Sequence, residues 1–294
     1  MREYCITTDS NSDLPLEYIE KYNTTIIPQY YSFGDIVYGD ELNMSPTEFY
    51  ERMKSGELPQ SQANNPAVIE EKFRAILDQN MDIIHIAFSS ALSGSYNNVC
   101  MVSRELLLEY PDAKIEIIDS LNVSLGESLM VIHANILKEL GTSYEKTVDT
   151  INDFKKHINV QFTVDDLFHL QRGGRISKAT AVVGSALSLK PMLYVDKLGG
   201  LSTDGTIRGR KRSLRNLVER MKATLTPDTD YTIPVGIVHG NCPEEAQEVA
   251  NMINAETKFT NIIINDISPS IGVHAGPGAI GILYYGQEKQ DAKQ

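Results

Sequence analysis

Hydrophobic positions along the chain come in short runs, each closed by a polar loop and followed by a segment of helical spacing. "YCIT" leads through "TDSNSDLP" to "PLEYIEKY". "DIIHIAF" leads through "SSALSGS" to "YNNVCMVSRELLLEY", and "KIEIID" through "SLNVSLGES" to "LMVIHANILKEL". Three strand–loop–helix units in a row predict a mostly parallel sheet with helices on both faces, a three-layer α/β arrangement. "IIHIA" shows no clean alternation, as expected of a strand covered on both sides. In "NNPAVIEEKFRAILDQN", Asn65 can cap and Pro66 suits the first turn, after which Ile69, Phe73, Ile76 and Leu77 share one face. In "NCPEEAQEVANMINAE", Pro243 and two early glutamates give a similar start.

The texture changes after about residue 157. "INVQFTV", "KPMLYVD", "GGLSTDGTIRG", "YTIPVGIVHG", "NIIINDIS" and "AIGILYYG" read as strands, and "KRSLRNLVERMKATL" as a basic amphipathic helix. "DDLFHLQRGGRISKATAVVGSAL" reads as short helices broken at Gly173 and Gly174. The expectation is therefore an N-terminal α/β domain over 1–157 and a C-terminal α+β domain over 158–294. A chain of 294 residues is of the right length for two domains.

Composition narrows the class. A formal net charge of -12 argues against bulk binding of nucleic acid or anionic membrane. The three cysteines, Cys5, Cys100 and Cys242, are far apart and form no CxxC, which points away from a disulfide framework and structural zinc. The first residues, "MREYCITTDSNSDLP", carry no signal-like apolar stretch, and no run of about 18 apolar residues occurs. The expected location is the cytoplasm.

The loops that follow the predicted parallel strands carry the candidate chemistry, because ligands of open α/β sheets bind there. They hold Asp9 and Ser10, Ser89 to Ser95, and Asp119 to Ser124: hydroxyls and helix N-termini, suited to one oxyanion. "SSALSGS" leaves three readings of Ser93 open. A phosphate cradle would need a Walker loop or three glycines, and neither is present. A nucleophile elbow needs glycine two positions before and after the serine, where Ala91 and Ser95 stand. The serine also needs a base, for which His274 is the best remote candidate. The plain reading is a helix cap. His274 itself lies in a run with Gly272, Gly276, Gly278 and Gly281, readable as a tight turn between strands or as a close approach to a ligand. No metal-ligand spacing surrounds it. Arg172, Arg175, Arg208, Arg210, Lys211, Arg212 and Arg215 concentrate base in an acidic chain, as a solvated helix face or as a docking patch for an acidic or phosphorylated partner.

Taken together, "ITTDSNSDLP", "PQSQANNP", "FSSALSGSYNN", "IDSLNVSLGES", "TVDDLFHLQRGGRIS", "GTIRGRKRSL", "VGIVHGN" and "VHAGPGAIGILYYG" resemble the DegV family in order and spacing over nearly the whole chain. These are fatty-acid-binding proteins that serve as the B subunit of bacterial fatty acid kinase. The resemblance implies a two-domain carrier of the DegV (EDD) fold with a long-chain fatty acid such as palmitate, stearate or oleate between its domains. It implies no cofactor and no catalytic residue of its own. The carboxylate would be held by Ser61, Ser93 and His274, with Gln62, Gly94, Ser95, Gly272 and Gly276 nearby. Where the family has threonine, this chain has Gln60. An ATP-binding kinase subunit would turn the carboxylate into an acyl-phosphate, which an acyltransferase of phospholipid synthesis would consume, with transient contact at a membrane surface. Arg172, Arg175, Arg208 and Arg212 are the docking candidates. The alternative is a serine hydrolase or acyltransferase using Ser93 and His274.

Overall fold

The computed structural model describes residues 2–165, 167–177 and 189–293. Much of the predicted "SKATAVVGSAL" helix lies outside them. Four strands, β1 (Tyr4–Asp9), β2 (Thr25–Ile27), β6 (Asp82–Ala87) and β7 (Ile115–Asp119), form a parallel sheet in the order β2-β1-β6-β7. Every residue of β6 is buried, which is why its sequence lacks alternation. Helices α3 (Pro66–Leu77) and α4 (Ser95–Glu109) cover one face through Ile69, Phe73, Val99 and Leu106. Asn65 caps α3 by accepting from the Ala67 N–H, as its sequence predicts.

Six further strands build the second sheet: β8 (Ile158–Thr163), β9 (Leu189–Val195), β10 (Leu201–Arg208), β11 (Val235–His239), β12 (Ile262–Asp266) and β13 (Ile280–Tyr285). Their order is β10-β9-β8-β13-β11-β12, antiparallel except for β11 with β12. Helices α8 (Arg210–Thr224) and α9 (Pro243–Glu256) close its outer face around Leu217, Met221, Val249 and Ile253.

Between the sheets lies α5 (Leu125–Glu139), ten of whose residues are buried. It packs on β1 and β6 on one side and on β8, β11 and β13 on the other. A helix apolar around most of its circumference has to be covered all round, and the second sheet supplies the cover. Gly236 makes the approach feasible: a Cβ there would sit 2.8 Å from the Leu125 Cβ.

A third, three-stranded sheet escapes the sequence patterning. It comprises β3 (Tyr30–Phe33), β4 (Ile36–Tyr38) and β5 (Gln60–Gln62), in the order β4-β3-β5. Helix α2 (Pro46–Lys54) packs against it through an aromatic cluster in which Phe49 meets Tyr31, Phe33 and Tyr50 edge-on at 5.1–5.6 Å. Rings of this kind hold short strands that hydrogen bonding alone would not. The predicted turn around His274 is a helix, α10 (Pro269–Ala275), which packs on α2, β3 and β5.

Candidate functional site

The polar loops beyond the parallel strands meet α10 and the inner face of the six-stranded sheet. A partly open cavity lies there, with about 1080 Å³ of empty space once its open mouth is included. Its walls are largely apolar, with Phe88, Val160, Phe162, Leu201, Val238 and Leu283 among them. Its polar groups are few: Ser61, Gln62, Ser93, Arg175 and His274, then Asn11, Gln29, Ser124 and Ser270. A large apolar cavity with a few convergent polar groups is the usual form of a small-molecule site.

The sequence candidates do gather. Ser61 sits on β5, opposite Tyr31 of β3, and its Oγ lies 2.7 Å from His274 Nε2. The two residues are 213 positions apart, brought together by the packing of α10 on β5. His274 Nδ1 is buried and has no hydrogen-bond partner among the described residues. A buried bare lone pair is tolerated better than a buried unpaired N–H, so the proton belongs on Nε2. The ring then donates to Ser61, which leaves the Ser61 proton free for an acceptor in the cavity. Burial, reinforced by the charges of Arg175, Arg172 and His169, pushes the His274 pKa down to about 3. The ring is therefore neutral at physiological pH.

Gly173, at the end of α7 (Phe168–Arg172), explains the fixed ring position. A Cβ on Gly173 would lie 1.9 Å from His274 Nδ1. The glycine is there for the histidine, not for a bend in the chain, since its φ of -76° suits any residue. Gly272 and Gly276 do not line the cavity. Gly272 makes room for the Tyr50 and Phe49 rings, and Gly276 for the His169 ring.

Ser93 is on the other wall of the same cavity. The cap residue of α4 is Gly94, not Ser93, although Ser93 Oγ accepts the Ser95 N–H at 3.2 Å. Ser93 Oγ also donates to Ser95 Oγ at 2.9 Å, and Ser95 Oγ donates to Gln29 Oε1 at 2.7 Å. Gln62 and Gly94 line the cavity; Ser95 is buried behind it.

The cations separate. Arg175 is in the cavity wall, with Nε donating to the Leu92 carbonyl at 3.0 Å and Nη1 to that of Gly173. No carboxylate pairs with it among the described residues, and burial lowers its pKa. Arg172 donates to the Val273 carbonyl at 3.3 Å. Arg208, at the end of β10, and Arg212, in the first turn of α8, are exposed. Leu92, Ser93, Gly94, Arg175 and Leu201 also border a shallower polar depression with Ser90, Gly174 and Gly200.

A serine-nucleophile geometry is not assembled. His274 is paired with Ser61, Ser93 with Ser95, and no carboxylate orients His274 Nδ1 among the described residues.

Two further carboxylates, Asp13 and Glu127, escape sequence reading. With Asp9, a loop candidate from the sequence, they are buried. Asp13 accepts from Ser124 Oγ and from the Ser268 N–H at 3.1 Å, and its carbonyl accepts from Asn265 at 2.8 Å. Burial pushes its pKa up to about 7, against the lowering effect of Ser124 and Ser268. Burial likewise raises Asp9 to about 6, and raises Glu127 well above the usual carboxylate range.

Over residues 4–287 the chain matches the family model described as "Uncharacterised protein, DegV family". It is 35% identical over 292 residues to a DegV domain-containing protein of Clostridium perfringens, covering 99% of this chain and 100% of that one. A fatty acid (stearic acid)-binding protein from Eubacterium ventriosum is similar with a TM-score of 0.88 and 27% identity, covering 96% of this chain and 98% of that one. DegV of Bacillus subtilis, a fatty acid binding protein, gives 0.83 and 27%, covering 98% and 100%.

Proposed function

Since the chain belongs to the DegV family, we propose that it is a carrier that buries a long-chain fatty acid in this cavity, between an N-terminal half ending near residue 157 and the half that follows. The carboxylate sits against Ser61, Ser93 and His274. One observation carries the reading: the hydroxyl-bearing Ser61 and Ser93, each with a neighbour of its own, border one largely apolar cavity. A carboxylate only accepts hydrogen bonds, and such a site supplies the donors. The acyl chain supplies the affinity. Roughly 14 methylenes at about 0.8 kcal/mol each give on the order of 11 kcal/mol before ordering and association are subtracted. The donors are needed because a carboxylate buried without partners would offset several of those methylenes. The relatives named as fatty-acid binders support the same reading.

Beyond binding, the family resemblance supports presentation of the carboxylate to an ATP-binding kinase subunit, with an acyltransferase consuming the acyl-phosphate. Arg175, in the cavity wall beside Ser93, is suited to steady the new phosphate. Arg172, Arg208 and Arg212 are the candidates for docking the kinase subunit.

Native mass spectrometry of protein purified from cells should show a co-bound mass in the fatty-acid range. Titration of delipidated protein should show oleate or palmitate uptake at micromolar concentration. Protein that stays free of lipid under both conditions overturns the reading. For the kinase step, charge reversal of Arg208 and Arg212 should abolish phosphorylation by the ATP-binding subunit while oleate binding persists. Undiminished phosphorylation removes these arginines from the docking surface.

A further inference from the structure

Gln29 connects β2 to β3 and is 3% exposed, with its side chain in the cavity wall. Its backbone N–H is fixed on Ser10 Oγ at 2.9 Å. Its amide nitrogen is turned to the Asp9 carboxylate, whose pKa this polar contact lowers although the pair is outside ordinary hydrogen-bond geometry, and its amide oxygen accepts from Ser95.

That orientation sets the direction of a hydroxyl chain. An amide oxygen can only accept, so the single Ser95 proton is committed to Gln29. Ser95 Oγ is then left as an acceptor, for the Asn64 N–H at 3.3 Å and for the Ser93 hydroxyl. Ser93 in turn uses one lone pair on the Ser95 N–H and its only proton on Ser95 Oγ. The chain runs Ser93 to Ser95 to Gln29, away from the cavity. A carboxylate seated at Ser93 has to draw that proton off Ser95. When the carboxylate leaves, the proton has a partner waiting.

Resting on the fatty-acid reading above, we propose that Gln29 is a positioning residue that favours unloading: by orienting Ser95 it gives the Ser93 hydroxyl an internal acceptor that competes with the bound carboxylate. Without the amide oxygen, the Ser95 proton turns to Ser93, and the Ser93 proton points into the cavity. The donor chain then runs toward the ligand.

The consequence runs against the usual effect of removing a polar group from a binding site. Gln29→Met, similar in size but unable to accept that bond, should release oleate roughly five-fold more slowly than wild type, the effect of about one hydrogen bond. Ser95→Ala removes the internal acceptor directly and should shift release in the same direction. The double variant should be no slower than the slower single one, because the two act through one hydroxyl. Release is measured as transfer of bound oleate to acceptor vesicles of neutral phospholipid. Titration of bound oleate labelled with ¹³C at the carboxyl group adds a readout that a merely structural role would not move. Its apparent pKa should fall in Gln29→Met, since an outward donor chain favours the anion. Release at the wild-type rate or faster in whichever variant folds, or an unmoved carboxyl pKa, overturns the role of Gln29. Failure of the wild-type protein to take up oleate at all overturns the fatty-acid reading instead.

Discussion

Gly173→Val should lower oleate affinity by roughly ten- to a hundred-fold while leaving the overall fold intact. The mechanism is local. The added Cβ would occupy the position of His274 Nδ1, so the ring must move. Moving it breaks the 2.7 Å contact with Ser61 and with it the orientation of the Ser61 hydroxyl. Hydrogen bonds to a charged group are worth about 1.5–3 kcal/mol, which sets the expected range. Backbone strain does not contribute, because Gly173 has an ordinary helical φ. A double-mutant cycle separates the cause. If valine acts through the ring, Gly173→Val in a His274→Ala background should add little to the loss already caused by the alanine. Isothermal titration with oleate measures all three variants. Additive losses would show that Gly173 acts on the ligand or on the loop rather than on His274.

The second large effect concerns stability. A carboxyl whose pKa is raised by folding stabilises the fold fully only below its unfolded value, and that contribution is lost as pH rises through the folded value. For Asp13 the window runs from 3.8 to about 7, worth on the order of 4 kcal/mol when complete. Asp9 and Glu127 slope the same way. The buried His85 and His274, both pushed down to about 3 by burial, slope the other way below their unfolded value of 6.5. The informative quantity is therefore the difference between wild type and Asp13→Asn, which cannot ionise at that position. Between pH 5 and pH 8 the melting temperature of the asparagine variant should climb relative to wild type by on the order of 5 °C. A difference that stays flat would mean that Asp13 is ionised throughout and that Ser124 and Ser268 hold it so.

These two effects differ in how far the sequence announced them. Three of the four parallel strands were legible because each apolar run ends in a polar loop and passes into a helix; β2, only three residues long, was not. Asp82–Ala87 in particular reads as doubly covered, and it is. The cap at Asn65 is a local signal, and the chain obeys it. The three-stranded sheet was not legible, because strands of three or four residues carry too few positions for a period to show. Ser61 lies on one of them, and only the family resemblance pointed to it. Gly173 and Gly174 read as helix breakers, since a sequence shows the absence of a side chain but not what fills the space. Arg175 looked like part of a basic surface. Charge along the chain cannot distinguish an arginine in solvent from one that lines a cavity and bonds to carbonyls. Gln29 gave no signal, for its role depends on two hydroxyls that follow it by more than sixty positions.

The position of α5 bears on how the chain reaches its folded state. Residues 125–139 are synthesised well before Val235–His239 and Ile280–Tyr285, the strands that cover the helix's second side. Until those strands emerge, a nascent chain that has already built its parallel sheet carries a strip of Leu125, Leu129 and Ile132 open to water. That interval is when the polypeptide is most exposed to self-association.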